Sequence, residues 1–305
     1  MTTKRSPRFN RVETRPLIFN NRDLEILRHV HRFRLLQTPH VVSLCGRGEK
    51  AIQRRLRLLY QHRYLDRIPP QSFNDSIIHA LGNRGADEIS KHYGIHPKRV
   101  DWHAKNRSLQ RGYIEHTLMI GEAMSWITEQ CRLHSSVRVL TPMETGNNSD
   151  TGVMATTPYR GSWYNLRVIP DWIFSLSGAD SIESPDKFYY LECDRSTMPV
   201  SATTLKRSSI EKKMSIYLAA IRNGYHKVAF GQHNARVFWL VDSRYSGLKR
   251  LESLLEMNRH LTGGRGSRAF LFALREPLMN SPDIRSAPVL NGKGESVSLV
   301  DRIAC

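Results

Sequence analysis

Two strongly apolar segments near the middle of the 305-residue chain carry acidic residues. The first is VIPDWIFSL, with Asp171 directly after Pro170, and the second is FYYLECDRST, which contains Glu192 and Asp194. Apolar runs of this kind are typical of strands in the middle of a sheet, where a charged side chain is rarely buried without a partner. The fold therefore has to accommodate three carboxylates beside a hydrophobic core.

The spacing of these acids predicts one shared site. Glu192 and Asp194 are two residues apart on a strand, so they point to the same face. If this strand pairs with the one that follows Asp171, the three carboxylates converge. A divalent cation with hard oxygen ligands, Mg²⁺ or Mn²⁺, would offset their repulsion and could activate water against a phosphodiester. The alternative is that each acid pairs with a neighbouring base, such as Arg195 or Lys187.

The overall charge indicates a polyanionic partner, with double-stranded DNA as the leading candidate. Lys and Arg number 46 against 28 Asp and Glu, which gives a formal net charge of +18 and a pI near 10.1. The excess is concentrated in residues 1–70, which hold 16 basic and 5 acidic side chains. Nucleic-acid binding proteins carry such basic patches. The alternative is a basic surface that serves solubility alone.

The first hundred residues show the element order of a winged helix-turn-helix. Three predicted helices in residues 21–62 are followed by two short strands around the turn QSFND and by a fourth helix that ends before Gly94. Apolar residues of the third helix recur at i, i+4 and i+7, so its polar residues face outward. In this motif the third helix enters the major groove. The DNA-binding candidates are Lys50, Gln53, Arg54, Arg57 and Gln61, and the alternative is an ordinary charged helix face.

The predicted fold class is α+β / α/β. The predicted domains are a basic arm at 1–20, a winged helix at 21–100, an α/β domain with a mixed sheet at 108–276 and a loosely ordered tail at 277–305. The α/β prediction rests on the order α-β-β-β-α-β-α-β. Residues 143–162 are polar and rich in Gly and Thr, and predict a long hairpin loop. The segment WYNLRVIPDWIFSL predicts one strand that bends at Pro170. The boundary between the modules falls between about 95 and 112.

Targeting and cysteine patterns favour a cytoplasmic protein. No apolar run approaches the ~18 residues that span a bilayer, and the basic start MTTKRSPRFNRVETRP has no apolar segment behind it. The four cysteines are far apart, with no CxxC pair and no Cys/His spacing that suits zinc. We therefore expect reduced thiols and no membrane partner.

Read together, PDWIF and YYLECDRST resemble the PD-(D/E)xK nuclease superfamily. More narrowly, they resemble the replication-relaxation family, which includes the MobC-type plasmid relaxases. That family shows an EH helix, a PD strand, an E-h-D-R-x-T strand and a helix with a K…Y pattern. The corresponding residues here are Glu115 with His116, Pro170 with Asp171, Glu192 through Thr197, and Lys213 with Tyr217. The resemblance covers most of residues 20–275.

The resemblance implies a winged helix followed by a restriction-endonuclease-like core. It further implies a metal-dependent endonuclease or nickase in plasmid mobilisation or replication. Asp171 and Glu192 would hold the ion, with Asp194 as a further acid that ligates it directly or through water. Asp194 stands where the superfamily usually has its lysine, so that lysine has to come from the following helix.

Three lysines are candidates for this role, and Lys213 is preferred because it shares a helix face with Tyr217. The others are Lys206 and Lys212. His116 would contact a phosphate or help order the metal site, and Glu115 is the catalytic candidate beside it in the EH motif. Tyr217 would form a covalent link to a 5′ phosphate. The alternative for His116 and Tyr217 is ordinary core packing.

Two non-catalytic functions remain open from the sequence. One is a DNA-binding regulator or origin-binding protein whose nuclease fold is idle. The other is an endonuclease-like subunit that joins mobilisation, replication, transposition or recombination proteins. The sequence also leaves a homodimer open.

Overall fold

The computed structural model describes two compact units, Met1–Glu129 and Gln130–Cys305. Both units mix helices and strands, so the predicted α+β class is confirmed. The boundary lies beyond the predicted range of 95–112 because most of the long helix that follows residue 110 packs with the first unit. The described residues are 9–12, 16–69, 76–96, 100, 106, 109–133, 137–141, 152–159, 161–178, 187–204, 206–232, 234–244 and 246–300.

The first unit has the element order predicted for a winged helix. Its three strands form an antiparallel sheet in the order β1-β3-β2. The predicted turn at residues 71–75 lies outside the described residues. In chain order the elements are α1 (Asn21–Phe33), β1 (Leu36–Gln37), α2 (Thr38–Cys45), α3 (Glu49–Gln61), β2 (Leu65–Ile68), β3 (Ile78–Leu81), α4 (Asn83–Tyr93) and most of α5 (Arg111–Leu133).

A buried ion pair ties the start of α1 to α3. Asn20 caps α1 in a capping box, accepting from the backbone N–H of Asp23 while the Asp23 carboxylate accepts from the backbone N–H of Asn20. The same carboxylate is fully buried and accepts two hydrogen bonds from the guanidinium of Arg55, one of them at 2.7 Å. A bidentate arginine fixes the relative orientation of the two helices and also compensates the buried negative charge. Arg55 therefore points inward, unlike its basic neighbours on α3.

The second unit is built on a seven-stranded mixed sheet in the order β12-β11-β10-β9-β8-β7-β4. Strands β8, β9 and β10 run parallel, and every other neighbouring pair is antiparallel. The elements are β4 (Val137–Leu140), β5 (Val153–Tyr159), β6 (Ser162–Val168), β7 (Trp172–Gly178), β8 (Lys187–Asp194), α6 (Ile210–Arg222), α7 (Tyr225–Phe230), β9 (Ala235–Val241), α8 (Gly247–Leu261), β10 (Phe270–Leu274), α9 (Arg275–Met279), β11 (Val289–Asn291) and β12 (Ser296–Val297).

The predicted loop at 143–162 is wrong for its second half. Strand β5 pairs with β6 as a separate antiparallel hairpin, and its residues alternate between buried and exposed. Residues 142–151 and 160 lie outside the described part. The predicted single strand that bends at Pro170 is also two strands, β6 and β7, in different sheets. Proline has no backbone N–H to donate to a ladder, so pairing breaks at this point.

The predicted loose tail is wrong for residues 277–300. Strand β11 adds to the edge of β10, and β12 adds to β11. Leu299 is fully buried, and its carbonyl accepts a 2.6 Å hydrogen bond from the hydroxyl of Tyr189. Two apolar anchors, Val289 and Leu299, hold a segment whose composition is otherwise that of a loop. Residues 301–305 lie outside the described range.

The main core of the second unit lies between the sheet and the two helices α6 and α8. Side chains of β8 and β9, such as Tyr190 and Trp239, meet Met214 of α6 and Leu254 of α8 in this core. Glu192 and Asp194 belong to the same face of β8, near its carboxyl end. The two acids are thus covered by the helices that close the core.

Among the described residues, no helix combines the length and the apolar character needed to cross a bilayer.

His79 of β3 is a buried neutral histidine in the first unit. Its Nε2 lies 3.0 Å from the hydroxyl of Thr38, and its Nδ1 has no hydrogen-bond partner among the described residues. Burial lowers the pKa of His79 to about 3, and the nearby charge of Arg67 acts in the same direction. The unfolded chain therefore takes up this proton at a higher pH than the folded protein does.

This histidine predicts acid sensitivity. Because the folded pKa is depressed below the ordinary value of 6.5, stability is lost as the pH falls below that value. The loss attributable to His79 is about 2 kcal/mol between pH 7.5 and 5. Chemical denaturation of the wild type and of His79→Gln at both values measures it. The substitution is expected to lower stability at pH 7.5 and to flatten its pH dependence. An unchanged dependence would contradict the assignment.

Candidate active site

Glu192 is a buried carboxylate with both oxygens hydrogen-bonded to α6. Its side chain is 2% exposed. The ammonium of Lys213 lies 2.5 Å from Oε2, and the hydroxyl of Tyr217 donates to Oε1 at 2.5 Å. Lys213 and Tyr217 are four residues apart, so one face of α6 supplies both contacts.

Burial dominates the electrostatics of this group. It raises the pKa of Glu192 to about 7, against the attraction of Lys213, and the charge of Asp171 raises it further. Burial also raises the pKa of the Tyr217 hydroxyl, with the charge of Glu192 acting in the same direction. For Lys213 burial lowers the pKa, but the charges of Glu192 and Asp171 outweigh it and the net pKa is raised. A positively charged Lys213 is thus held between two acids.

Asp171 lies beside Glu192 through the pairing of β7 with β8. The antiparallel register sets Trp172 opposite Leu191, which brings Asp171 to the level of Glu192 and Cys193. The Asp171 Oδ2 accepts a 2.7 Å hydrogen bond from the backbone N–H of Cys193. The two strands therefore pair as the convergence of the acids requires.

Asp194 is neutralised by an arginine that the sequence analysis missed. Arg250 on α8 donates from Nε to Oδ2 at 2.6 Å and from Nη2 to Oδ1 at 3.2 Å. Its Nη2 also donates to the carbonyl of Met198 at 2.7 Å, and the backbone N–H of Ser196 donates to Asp194 at 2.8 Å. Arg250 is 56 residues from Asp194 in the chain, and no local pattern indicates the pairing. Asp194 is therefore better suited to attach β8 to α8 than to bind a metal ion.

The donor set fits a divalent cation held by two carboxylates. Asp171 and Glu192 supply hard oxygen ligands of the kind that Mg²⁺ and Mn²⁺ prefer. Asp194 is hydrogen-bonded to Arg250. In the described part of the chain, Asp171, Glu192 and Asp194 do not bring one carboxylate oxygen each to within 4.8 Å of one another. Of the predicted lysines, Lys213 is hydrogen-bonded to Glu192.

Glu115 and His116 lie on α5 in the first unit. Glu115 accepts a 2.9 Å hydrogen bond from Arg111 one turn earlier, and His116 is half-buried. Their catalytic role stays a prediction.

Four of the five predicted DNA-binding residues are exposed on α3, while the stripe Ile52, Leu56 and Leu59 is buried. Gln61 is half-buried, and its Oε1 accepts a 2.7 Å hydrogen bond from the backbone N–H of Val12. That contact ties part of the N-terminal arm to the end of α3. The outward set is Lys50, Gln53, Arg54 and Arg57.

A basic groove lies on the second unit, with a volume of about 660 Å³. A glycine-rich turn forms one wall, where Gly263, Gly264 and Gly266 have φ of 62°, 83° and 68°. Such left-handed backbone favours glycine. Four exposed cations line the groove: Arg222, Arg265, Arg268 and Lys293.

Asn258 of α8 and Thr262, the C-cap residue of that helix, fix the backbone of this turn. The Asn258 Oδ1 accepts from the backbone N–H of Ser267 at 2.8 Å, and the Thr262 hydroxyl accepts from Gly266 at 2.9 Å. Arg268 pairs with Glu295 at 3.2 Å, but both side chains are largely exposed, so this pair holds the cation only weakly. The groove therefore presents a net positive, preformed surface.

Comparison with known proteins gives one match. The family model described as replication-relaxation matches residues 27–233, which include α3, both acid-bearing strands and α6. No curated protein and no solved structure matches the chain. The matched segment covers more than half of the sequence, and the chain belongs to the replication-relaxation family.

Proposed function

We propose that the chain is a metal-dependent DNA endonuclease of nickase or relaxase type that acts in plasmid mobilisation or replication. Family membership supports a role in plasmid replication or mobilisation. The observation that carries the chemistry is the buried Glu192 carboxylate, bonded to Lys213 and influenced by the nearby charge of Asp171. Two carboxylates and a lysine at one strand end can hold a metal ion and stabilise the charge that develops in phosphodiester hydrolysis.

In this proposal Asp171 and Glu192 hold Mg²⁺ or Mn²⁺. The bound ion supplies Lewis acidity and lowers the pKa of water. Lys213 keeps its proton between the two acids and donates hydrogen bonds to the attacking water or to a phosphate oxygen. Asp194, held by Arg250, fixes the end of β8 so that Glu192 is correctly placed.

The contacts of Tyr217 favour a positioning role over covalent catalysis. Its side chain is fully buried, and its hydroxyl donates to Glu192. A raised pKa reduces the phenolate fraction that nucleophilic attack needs. We therefore assign Tyr217 to orienting the Glu192 carboxylate.

Two surfaces are suited to hold the DNA. On the first unit, the outward residues of α3 can enter a major groove. On the second unit, the basic groove can bind the phosphate backbone, since cations in a concave surface concentrate field on an anionic ligand. An acidic site without such surfaces would repel its substrate.

A catalytically idle DNA-binding protein is the second candidate. The observation that favours it is that both oxygens of Glu192 are engaged by Lys213 and Tyr217, while Asp194 is engaged by Arg250. Such a network can be purely structural. The two candidates differ in whether the protein nicks DNA.

We expect wild-type protein to nick supercoiled plasmid that carries candidate origins when Mg²⁺ or Mn²⁺ is present, and to stop when a chelator is added. Glu192→Gln keeps the size of the side chain but removes its charge and one of its two acceptor oxygens, so the rate should fall by about a hundredfold or more. The matched control is Glu252→Gln, which changes an exposed acid of α8 and should nick normally. Absence of metal-dependent nicking in the wild type would favour the idle protein.

Charge reversal on α3 should weaken DNA binding. The double variant Arg54→Glu with Arg57→Glu is expected to lose more than about tenfold in affinity, with a weaker salt dependence, because phosphate contacts release counterions. Fluorescence anisotropy with labelled duplex at two salt concentrations measures both. Reversal of two exposed residues elsewhere in the first unit, Arg22 and Lys91, provides the control. If both variants lost the same affinity for DNA, the effect would come from net charge alone and not from α3.

Neutralisation of two cations in the basic groove should also lower the salt dependence of DNA binding. Two lost phosphate contacts change the slope of log affinity against log salt by about two. The variant is Arg222→Gln with Arg265→Gln, and the control is Lys227→Gln with Arg285→Gln, which removes the same charge from exposed positions of the second unit. A slope equal to that of the control would show that the groove does not contact DNA.

A further inference from the structure

The helix pair α1–α2 brings three different metal-binding side chains together. Glu25 and His29 are four residues apart on α1, so they share one face. Cys45 is the last residue of α2 and is 8% exposed. One carboxylate oxygen, one imidazole nitrogen and the thiol sulfur all lie within 4.8 Å of one another. In the described part of the chain, no other three such residues meet this condition.

We propose that these residues, the Glu–His–Cys group, form a zinc site in the first unit. Zinc binds thiolate, imidazole and carboxylate, and tolerates mixed sets of the three. Calcium and magnesium prefer oxygen ligands alone. The Cys45 sulfur and the His29 nitrogen therefore select against the Mg²⁺ proposed for the second unit. Three protein ligands leave a fourth tetrahedral position for water.

The geometry requires only small adjustments. Ligand atoms around tetrahedral zinc are separated by about 3.5 Å, given metal–ligand distances of about 2.0–2.3 Å. Atoms already within 4.8 Å of one another reach this arrangement by rotation of side chains on two fixed helices. His29 and Cys45 each take part in another interaction, which the ion would replace.

The charges balance when the metal binds. The thiol of Cys45 loses its proton to solvent, His29 binds as neutral imidazole and Glu25 as carboxylate, so Zn²⁺ meets two negative charges. The competing cation is Arg47, which lies 3.6 Å from Glu25 with both side chains partly exposed. Exposed ion pairs of this kind contribute little, and the metal can displace Arg47.

The position of the group gives it a structural consequence. Gly46, directly after Cys45, has φ of 61°, and α3 begins at Glu49. A metal that joins α1 to the end of α2 therefore fixes the turn that leads into α3. We expect zinc to stabilise the first unit and to strengthen DNA binding through α3, whereas nicking by the second unit has separate ligands.

Titration of metal-free, reduced full-length protein with Co²⁺ tests the site. Wild type should show saturable thiolate-to-cobalt charge transfer, which reports the cysteine site and not the carboxylates of the second unit, and Zn²⁺ should abolish the band and raise the melting temperature. Cys45→Ser should lose the charge-transfer band. His29→Gln, which keeps the cysteine, should lower the affinity by more than about tenfold.

Cys131→Ser is the matched control. Cys131 is another buried free cysteine, and in the described part of the chain it belongs to no group of three metal-binding side chains. This variant should retain the cobalt spectrum. The proposal is overturned if folded wild type shows no charge transfer, or if Cys45→Ser and His29→Gln give the same charge-transfer titration with cobalt as the wild type. Circular dichroism of each variant separates loss of the metal from loss of the fold.

Discussion

The second unit depends on the burial of the Glu192 carboxylate. A buried carboxylate without partners costs several kcal/mol or takes up a proton. Here Lys213 and Tyr217 supply two hydrogen bonds from one face of α6. Because both contacts come from that face, α6 has to cross β8 at one place and in one rotation. The same packing closes the hydrophobic core around Tyr190 and Met214.

A second ion pair repeats this arrangement one step further along the strand. Asp194 is bound by Arg250 of α8, so the two helices that cover the core are each attached to β8 through an acid. The first unit uses the same device where Asp23 of α1 is bound by Arg55 of α3. In each case a buried acid specifies which helix face points inward. On α3 this leaves Arg54 and Arg57 directed to solvent.

The two units divide the work of a protein that would cut DNA. Basic side chains on α3 and in the groove suit the phosphate backbone, while the acidic site suits a cation. Lys213 lies in the acidic site as a cation, because the charges of Glu192 and Asp171 raise its pKa. The Glu–His–Cys group would add a metal with different chemistry, whose role is to position α3.

Local sequence patterns determined several features of this protein. The helical periodicity of α3 gave its buried stripe and outward residues, and the alternation of β8 put Glu192 and Asp194 on one face. The face shared with Tyr217 also favoured Lys213 over Lys206 and Lys212. The predicted directions of these side chains are confirmed because a side chain's direction depends on helix or strand period, which a few neighbouring residues define. The catalytic role of Lys213 stays a prediction.

Only the tertiary structure decided the features that depend on distant contacts. Arg250 meets Asp194 across 56 residues, and Cys45 meets His29 only because α1 crosses α2. Likewise, the hairpin β5–β6 and the strands β11 and β12 come from segments with loop-like composition. Sequence determines which face a residue occupies, whereas packing between elements decides which residue it meets there, because contacts between elements arise from the whole core and carry no local period.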